Sequence, residues 1–266
     1  MVENYEGSVA SAGSRFSRIV VGVDGTEPGF EACRQAARLA DPRGSLELFT
    51  AVYVAEAARA GWSASRLADD LLTEARIALD KATEIAGPCA THRLVTGPPT
   101  RSLVKELEQT QATLVALGTH GHSRASEIIL GGVAGELLHV APCSVLIARP
   151  PVAEALFPRS IVVGIDGSEA SDLALSAAHE LAGRFDVSLR IVTALAGKGI
   201  DVARTHLRTP FCEPIDGHPV EVLISAARDA DLVVVVSRGL HGLRALGSVS
   251  ERVAHQARSS VLVVRT

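Results

Sequence analysis

Short runs of β-branched and aliphatic residues recur along the chain, and between them the apolar positions switch to a helical period. Arg18-Ile-Val-Val-Gly-Val-Asp24 is such a run, stopped by Asp-Gly, and reads as a buried strand. Thr26 then stands where a helix cap is needed, and Pro28 falls in the first turn. Residues 32, 36, 39 and 40 recur at i, i+4, i+7 and i+8 and so share one helical face. Beyond them the pattern predicts a strand over about 45–54, a long amphipathic helix over 65–86, a strand over 89–96 and a helix over 99–110. A strand from Thr113 to Leu117, a Gly-rich loop leading into a helix, and a last strand from Ser144 to Ala148 follow. Strands alternating with helices predict a mostly parallel sheet with helices on both faces.

The whole pattern then restarts. Ile161 to Ala182 repeats Ile19 to Ala40 at an offset of 142, with 11 of 22 positions identical. Ala174, Ala178, Leu181 and Ala182 match residues 32, 36, 39 and 40, so the halves share the helical face that must pack on a sheet. The chain therefore divides into an N-terminal arm (1–17), a first domain (18–150), a linker (151–159) and a second, shorter domain (160–266). The second half lacks about 22 residues between its second strand (about 188–195) and Gly217, where the first half has its second helix. That helix is expected to be vestigial, around Lys198 to Arg204, or absent, leaving one thinly covered sheet edge.

At 266 residues, each half is long enough to bury its own core. Aromatics at 3% and a net charge of -4 argue against a nucleic-acid reader, which needs stacking rings and a basic face. The strongest apolar run, Leu232 to Val236, is far shorter than the roughly 20 residues that span a bilayer. Cys33, Cys89, Cys143 and Cys212 form no CxxC pair, and the N-terminus is acidic and polar. Both fit reduced thiols in a cytoplasmic protein.

The chemistry concentrates at two points. Asp24 stands just past the first strand, and Gly118-x2-Gly121-x9-Gly131-Gly132 follows the fourth and opens a helix. Glycines let backbone N–H groups approach a ligand closely, and a helix N-terminus offers unpaired N–H groups suited to phosphate. In an open parallel sheet, ligands sit beyond the carboxyl ends of the strands, where the strand order reverses. Strands one and four flank that point if each half is an open parallel five-stranded sheet of order 3-2-1-4-5.

VGVDGT with GTHGHSRASEIILGG in the first half, and VGIDGS with SRGLHGLRALGSVSE in the second, resemble the paired motifs of universal stress proteins. From about residue 18 to 266 the chain is similar to a tandem member of that family. The family contains adenine-nucleotide binders and non-binders. In binders the Gly loop wraps the phosphates and ribose, the Asp lies near the ribose and metal-bound phosphates, and backbone ending the second strand recognises adenine. The resemblance implies a first site at Gly22, Asp24, Gly25, Thr26, Ala51, Gly118, Gly121, Gly131, Gly132 and Val133. It implies a second at Gly164, Asp166, Gly167, Ser168, Ala194, Gly239, Gly247, Ser248, Val249 and Ser250. The expected ligand is ATP with Mg2+, without a dedicated protein metal site.

Each half departs from the family pattern. In the first, Gly132 replaces the usual Ser or Thr, and Ala134 stands where a second hydroxyl is common. In the second, Ser248 and Ser250 keep the hydroxyls, but Val236 replaces the first glycine and the loop from Gly239 to Gly247 is two residues short. A valine resists positive φ. The first site is thus the better candidate.

Blander readings stand beside this one. Asp24 and Asp166 also fit simple strand-ending turns, and the Gly loop an unliganded connection. His120 and His122 lack a third metal ligand at a recognisable spacing. Ala-Gly-Lys-Gly at 196–199 lacks the first glycine and the Ser/Thr of a Walker loop. No nucleophile–base pair is placed by motif, so the expectation is a stress-response binding protein in which any ATP hydrolysis is slow and incidental. A ligand-free dimerising scaffold and a cyclic AMP binder remain as alternatives. The last strands, Ser144–Ala148 and Ser260–Arg265, are apolar and lie at sheet edges in this topology. Such edges pair between domains in the family, so the resemblance implies that the halves form a pseudo-twofold unit, which a homodimer would extend.

Overall fold

The structure, a computed structural model, describes residues 14–54, 64–119, 130–151, 157–196, 209, 211–237 and 247–265. The first half runs β1 (Arg18–Gly22), α1 (Glu27–Leu39), β2 (Ser45–Val52), α2 (Ala64–Ala86), β3 (Thr91–Thr96), α3 (Pro99–Gln109), β4 (Leu114–Gly118), α4 (Gly132–Val140) and β5 (Ser144–Ala148). The second runs β6 (Ser160–Gly164), α5 (Glu169–Phe185), β7 (Ser188–Ala194), β8 (Glu213–Ile215), α6 (Pro219–Ala226), β9 (Leu232–Val236), α7 (Ser248–Gln256) and β10 (Ser260–Val264).

All ten strands form one sheet, in the order β3-β2-β1-β4-β5-β10-β9-β6-β7-β8. Each half contributes five parallel strands in the expected order 3-2-1-4-5. The halves meet where β5 pairs antiparallel with β10, with Val145 opposite Val263, Leu146 opposite Leu262 and Ile147 opposite Val261. These last strands are therefore central and buried on both faces, which is why they read as unbroken apolar runs without alternation.

Each face of the sheet carries a core that continues across the junction. On one, α1, α2 and α5 cover Ile19, Val21, Leu146, Leu262 and Val163. On the other, α3, α4, α6 and α7 cover Val20, Val145, Ile147, Val261 and Val263. Ala32, Ala36 and Leu39 of α1, and Ala174, Ala178 and Leu181 of α5, are fully buried. These small side chains let each helix sit close on its strands. Thr26 caps α1 through its side chain, with Pro28 in the first turn. Ser168 does the same for α5 by accepting from the Ser171 N–H.

The packed body starts before β1, because Phe16 is 1% exposed and the Ser14 hydroxyl bonds Glu180 of α5 at 3.2 Å. β2 ends at Val52 rather than near 54. The segment expected to carry a vestigial helix, Lys198 to Arg204, lies outside the described residues, as does most of the expected linker.

Candidate nucleotide site

Both βα turns are built alike. The Asp24-Gly25 and Asp166-Gly167 turns put each glycine at φ 78°, a left-handed conformation that favours residues without Cβ. Asp24 Oδ1 accepts from the Thr26 N–H at 3.0 Å and from its hydroxyl at 2.6 Å, and Thr26 Oγ1 in turn accepts from Gly29 N–H at 3.3 Å. Thus one carboxylate oxygen orients the cap of α1. Both bonds fall on Oδ1, and the residue is exposed. Asp166 repeats the bond to the Ser168 N–H at 2.9 Å.

Beyond the strand ends of the first half lies a cavity of about 1050 Å³. Gly22, Asp24, Gly25, Ala51, Gly118, Gly131, Gly132 and Val133 line it. Thr26 stands behind the wall as the cap of α1. Gly121, His120 and His122 lie outside the described residues.

Two sets of backbone groups open into this cavity. β2 runs three residues past its last pair with β1, Gly22 opposite Phe49. The Phe49 carbonyl accepts from Val23 N–H at 2.9 Å and so faces β1. Because backbone groups alternate sides along a strand, Ala51 also faces the β1 side, where β1 has already ended. Ala51 lines the cavity on that side. The second set is the N-terminus of α4, whose N-cap is Gly131 with no side-chain cap. The first amides of that helix have no intrahelical partner and carry its positive dipole end.

Gly118 is needed for a different reason from the one its motif suggests. Its φ is not positive. A Cβ there would stand 2.5 Å from the Pro28 carbonyl carbon and 2.7 Å from Gly29 N, so the glycine lets the first turn of α1 sit on the end of β4. The valine at 236 therefore matters through its bulk and not through φ. A Cβ on Gly132 would meet nothing within 4 Å.

One wall escapes the sequence motifs. α2 lines the cavity with Leu67, Leu71, Ile77 and Ala78, together with Glu74 and Lys81. Lys81 Nζ lies 4.1 Å from the centroid of the Phe30 ring and 3.9 Å from Glu27 Oε2. The half-exposed Leu67 and Tyr53 and the exposed Ile77 give this wall an apolar character. In the sequence these residues read as ordinary members of an amphipathic helix, so no motif signals this wall.

The corresponding cavity of the second half is about 280 Å³. Gly164, Asp166, Ala194, Gly247, Ser248, Val249 and Ser250 line it, while Gly167 and Ser168 belong to the turn behind, and Gly239 lies outside the described residues. Val222, Leu223 and Val236 also border it. The Ser250 hydroxyl is 2.6 Å from the Val236 carbonyl and donates to it, so it ties α7 to the end of β9. Among the described residues there is no group of three or more His, Cys, Asp or Glu that would hold a metal ion. No described helix is long and apolar enough to cross a membrane.

A model of the universal stress protein family matches residues 15–149 and 203–265. A universal stress protein of Mycobacterium tuberculosis is 29% identical over 295 aligned residues, spanning 96% of this chain and 98% of its own. One from Mycolicibacterium smegmatis is 29% identical over 290, spanning 93% and 96%. Among solved structures, a universal stress protein from Archaeoglobus fulgidus has a TM-score of 0.73 at 19% identity, covering 93% of this chain and 96% of its own. That last similarity speaks for the fold.

Proposed function

The chain belongs to the universal stress protein family, and on that footing we propose that it is an ATP-binding regulatory protein whose ligand sits in the first half. The observation that carries this reading is the unequal pair of cavities. Small-molecule sites occupy roughly 300–1,000 Å³. The first-half cavity, about 1050 Å³, has room for a nucleoside triphosphate, and the second, about 280 Å³, falls just below that range. In the first, the Ala51 backbone suits the hydrogen-bonding edge of adenine. The bare N-terminus of α4 suits phosphate. Asp24 lies between these elements in the cavity wall.

Mg2+ would arrive with the phosphates. Asp24, which lines the cavity, would share it, and the described residues hold no group of three or more His, Cys, Asp or Glu that would make a dedicated metal site. Asp24, Glu74 and Lys81 are the charged side chains of that lining, and the reading is one of binding rather than catalysis. We place the protein in the cytoplasm, in keeping with four free thiols.

A ligand-free scaffold is the competing reading. The continuous sheet favours it in one respect: the two halves pair through β5 and β10 as the subunits of such a scaffold would. Nucleotide released by acid from freshly purified protein, identified by mass spectrometry and counted per chain, separates the two. About one ATP per chain supports the proposal. No nucleotide, and no uptake of Mg-ATP, AMP or cyclic AMP, overturns it.

A further inference from the structure

The two last strands begin with serine and end with arginine at matching positions, Ser144 to Arg149 and Ser260 to Arg265. At the junction these residues cross over. The Arg149 N–H donates to Ser260 Oγ at 3.0 Å, and the Arg265 N–H donates to Ser144 Oγ at 3.2 Å. The guanidinium groups cross too. Arg149, just past the end of β5, donates to the Ala254 carbonyl in the last turn of α7 at 2.6 Å and to the Ser259 carbonyl, between α7 and β10, at 3.3 Å. Arg265, at the end of β10, donates to the Leu138 and Ala141 carbonyls at the C-terminal end of α4. Each arginine thus satisfies terminal carbonyls of a helix in the opposite half and meets the negative end of its dipole.

The helices concerned are the two that open on the cavities. α4 and α7 have nine residues each and carry a glycine N-cap without a side-chain bond. Isolated helices shorter than about 12–15 residues are marginal, so packing and end contacts decide whether they hold their place. Arg149 is 6% exposed and pairs with no carboxylate among the described residues, so the helix end is what compensates its buried charge. Gln35 adds a link on one side only. Its Nε2 donates to the Arg149 carbonyl at 2.7 Å and its Oε1 accepts from the Ser260 hydroxyl at 2.8 Å.

We propose that Arg265 and Arg149 are crossed positioning residues: each holds, from the other half, the helix whose N-terminus faces a ligand cavity. The part concerning ligand rests on the nucleotide reading above; the clasp itself does not. One consequence is that the first cavity depends on the last strand of the second half. This gives a partly closed second domain a role in the first site without needing a ligand of its own.

The test uses the full chain with Arg265→Met, Arg149→Met and, as a milder variant that keeps the charge, Arg265→Lys. Hydrogen exchange of backbone amides is followed by mass spectrometry without ligand, and Mg-ATP affinity by titration calorimetry. Arg265→Met is expected to speed exchange in α4 about tenfold and leave α7 unchanged. Arg149→Met is expected to do the reverse. Mg-ATP binding weakens about tenfold in Arg265→Met, recovers in part in Arg265→Lys, and is unchanged in Arg149→Met. Equal acceleration in both helices, or none, overturns the crossed assignment. So does equal loss of affinity in the two methionine variants. If Arg265→Met does not fold, the same contrast is read from Arg265→Lys against Arg149→Met. Should the wild type bind no nucleotide, the function proposed above fails while the exchange contrast still decides the clasp.

Discussion

Gly118 and Gly132 belong to one motif, yet the structure predicts opposite outcomes for the same substitution. In Gly118→Ala the new methyl would lie 2.5, 2.6 and 2.7 Å from the carbonyl carbon and oxygen of Pro28 and from Gly29 N. Comfortable contacts are about 3.5–4.0 Å, so the first turn of α1 must withdraw by about 1 Å. All three atoms are backbone, and no side-chain rotation relieves the clash. Overpacking of this kind costs about 1–3 kcal/mol, which lowers the melting temperature by roughly 2–12 °C. The displaced turn carries Thr26 and Gly29, which tie Asp24 in place, so Mg-ATP affinity should fall at least about tenfold. In Gly132→Ala the methyl meets nothing within 4 Å and sits in a helix. Alanine should stabilise there by about 0.4–1 kcal/mol through loss of unfolded-state freedom. Thermal unfolding by circular dichroism and Mg-ATP calorimetry on both variants decide the matter. A harmless Gly118→Ala, or equal damage from both, would refute the seating of α1 described above.

Other perturbations follow from particular contacts. Gly132→Ser restores a hydroxyl at the mouth of α4 and should tighten Mg-ATP binding by about 1.5–3 kcal/mol, read by calorimetry. Glu47 has a buried Oε1 without a hydrogen-bond partner, and burial, then the neighbouring Glu106, raise its carboxyl above the ordinary range against the pull of Arg93. A raised carboxyl binds its proton more tightly folded than unfolded, so its ionisation erodes stability as pH climbs through the raised value. Glu47→Gln should therefore raise the urea midpoint at pH 7 and lose that advantage below the ordinary carboxylate range. Burial pushes the Cys33 and Cys143 thiols up to about 12 and the Cys212 thiol to about 11, whereas Cys89 is exposed. A disulfide reagent should titrate a single thiol quickly in the native protein and four after unfolding. Val263→Pro strikes the antiparallel junction with Val145 and the ladder to Val235. It should lower melting of both halves in one transition; independent melting of two halves would count against a continuous core.

The duplication made the fold legible. Short β-branched runs, an Asp-Gly stop after each first strand, and alanines at helical spacing gave the alternation of strands and helices twice over, while the order of the strands, 3-2-1-4-5 in each half, was an expectation that went beyond that pattern. The lining of the candidate cavity was legible where a backbone requirement leaves a glycine, as at Gly25 and Gly118, although the latter answers a close approach rather than φ. The wall made by α2 was not, because Leu67 and Ile77 look like ordinary members of an amphipathic helix until the cavity beside them is seen. Nor was the crossed clasp. SVLIAR and SVLVVR stand in the sequence as a repeat, but strand composition alone does not tell an arginine that ends a strand from one that reaches a neighbouring helix.

The central claim is that ligand occupies the first half. Hydrogen exchange with and without saturating Mg-ATP tests it most directly. The account predicts slower exchange around residues 50–53 and 130–134, with residues 192–195 and 247–251 unchanged. Protection at the second pair of segments alone, or at neither pair, would contradict it.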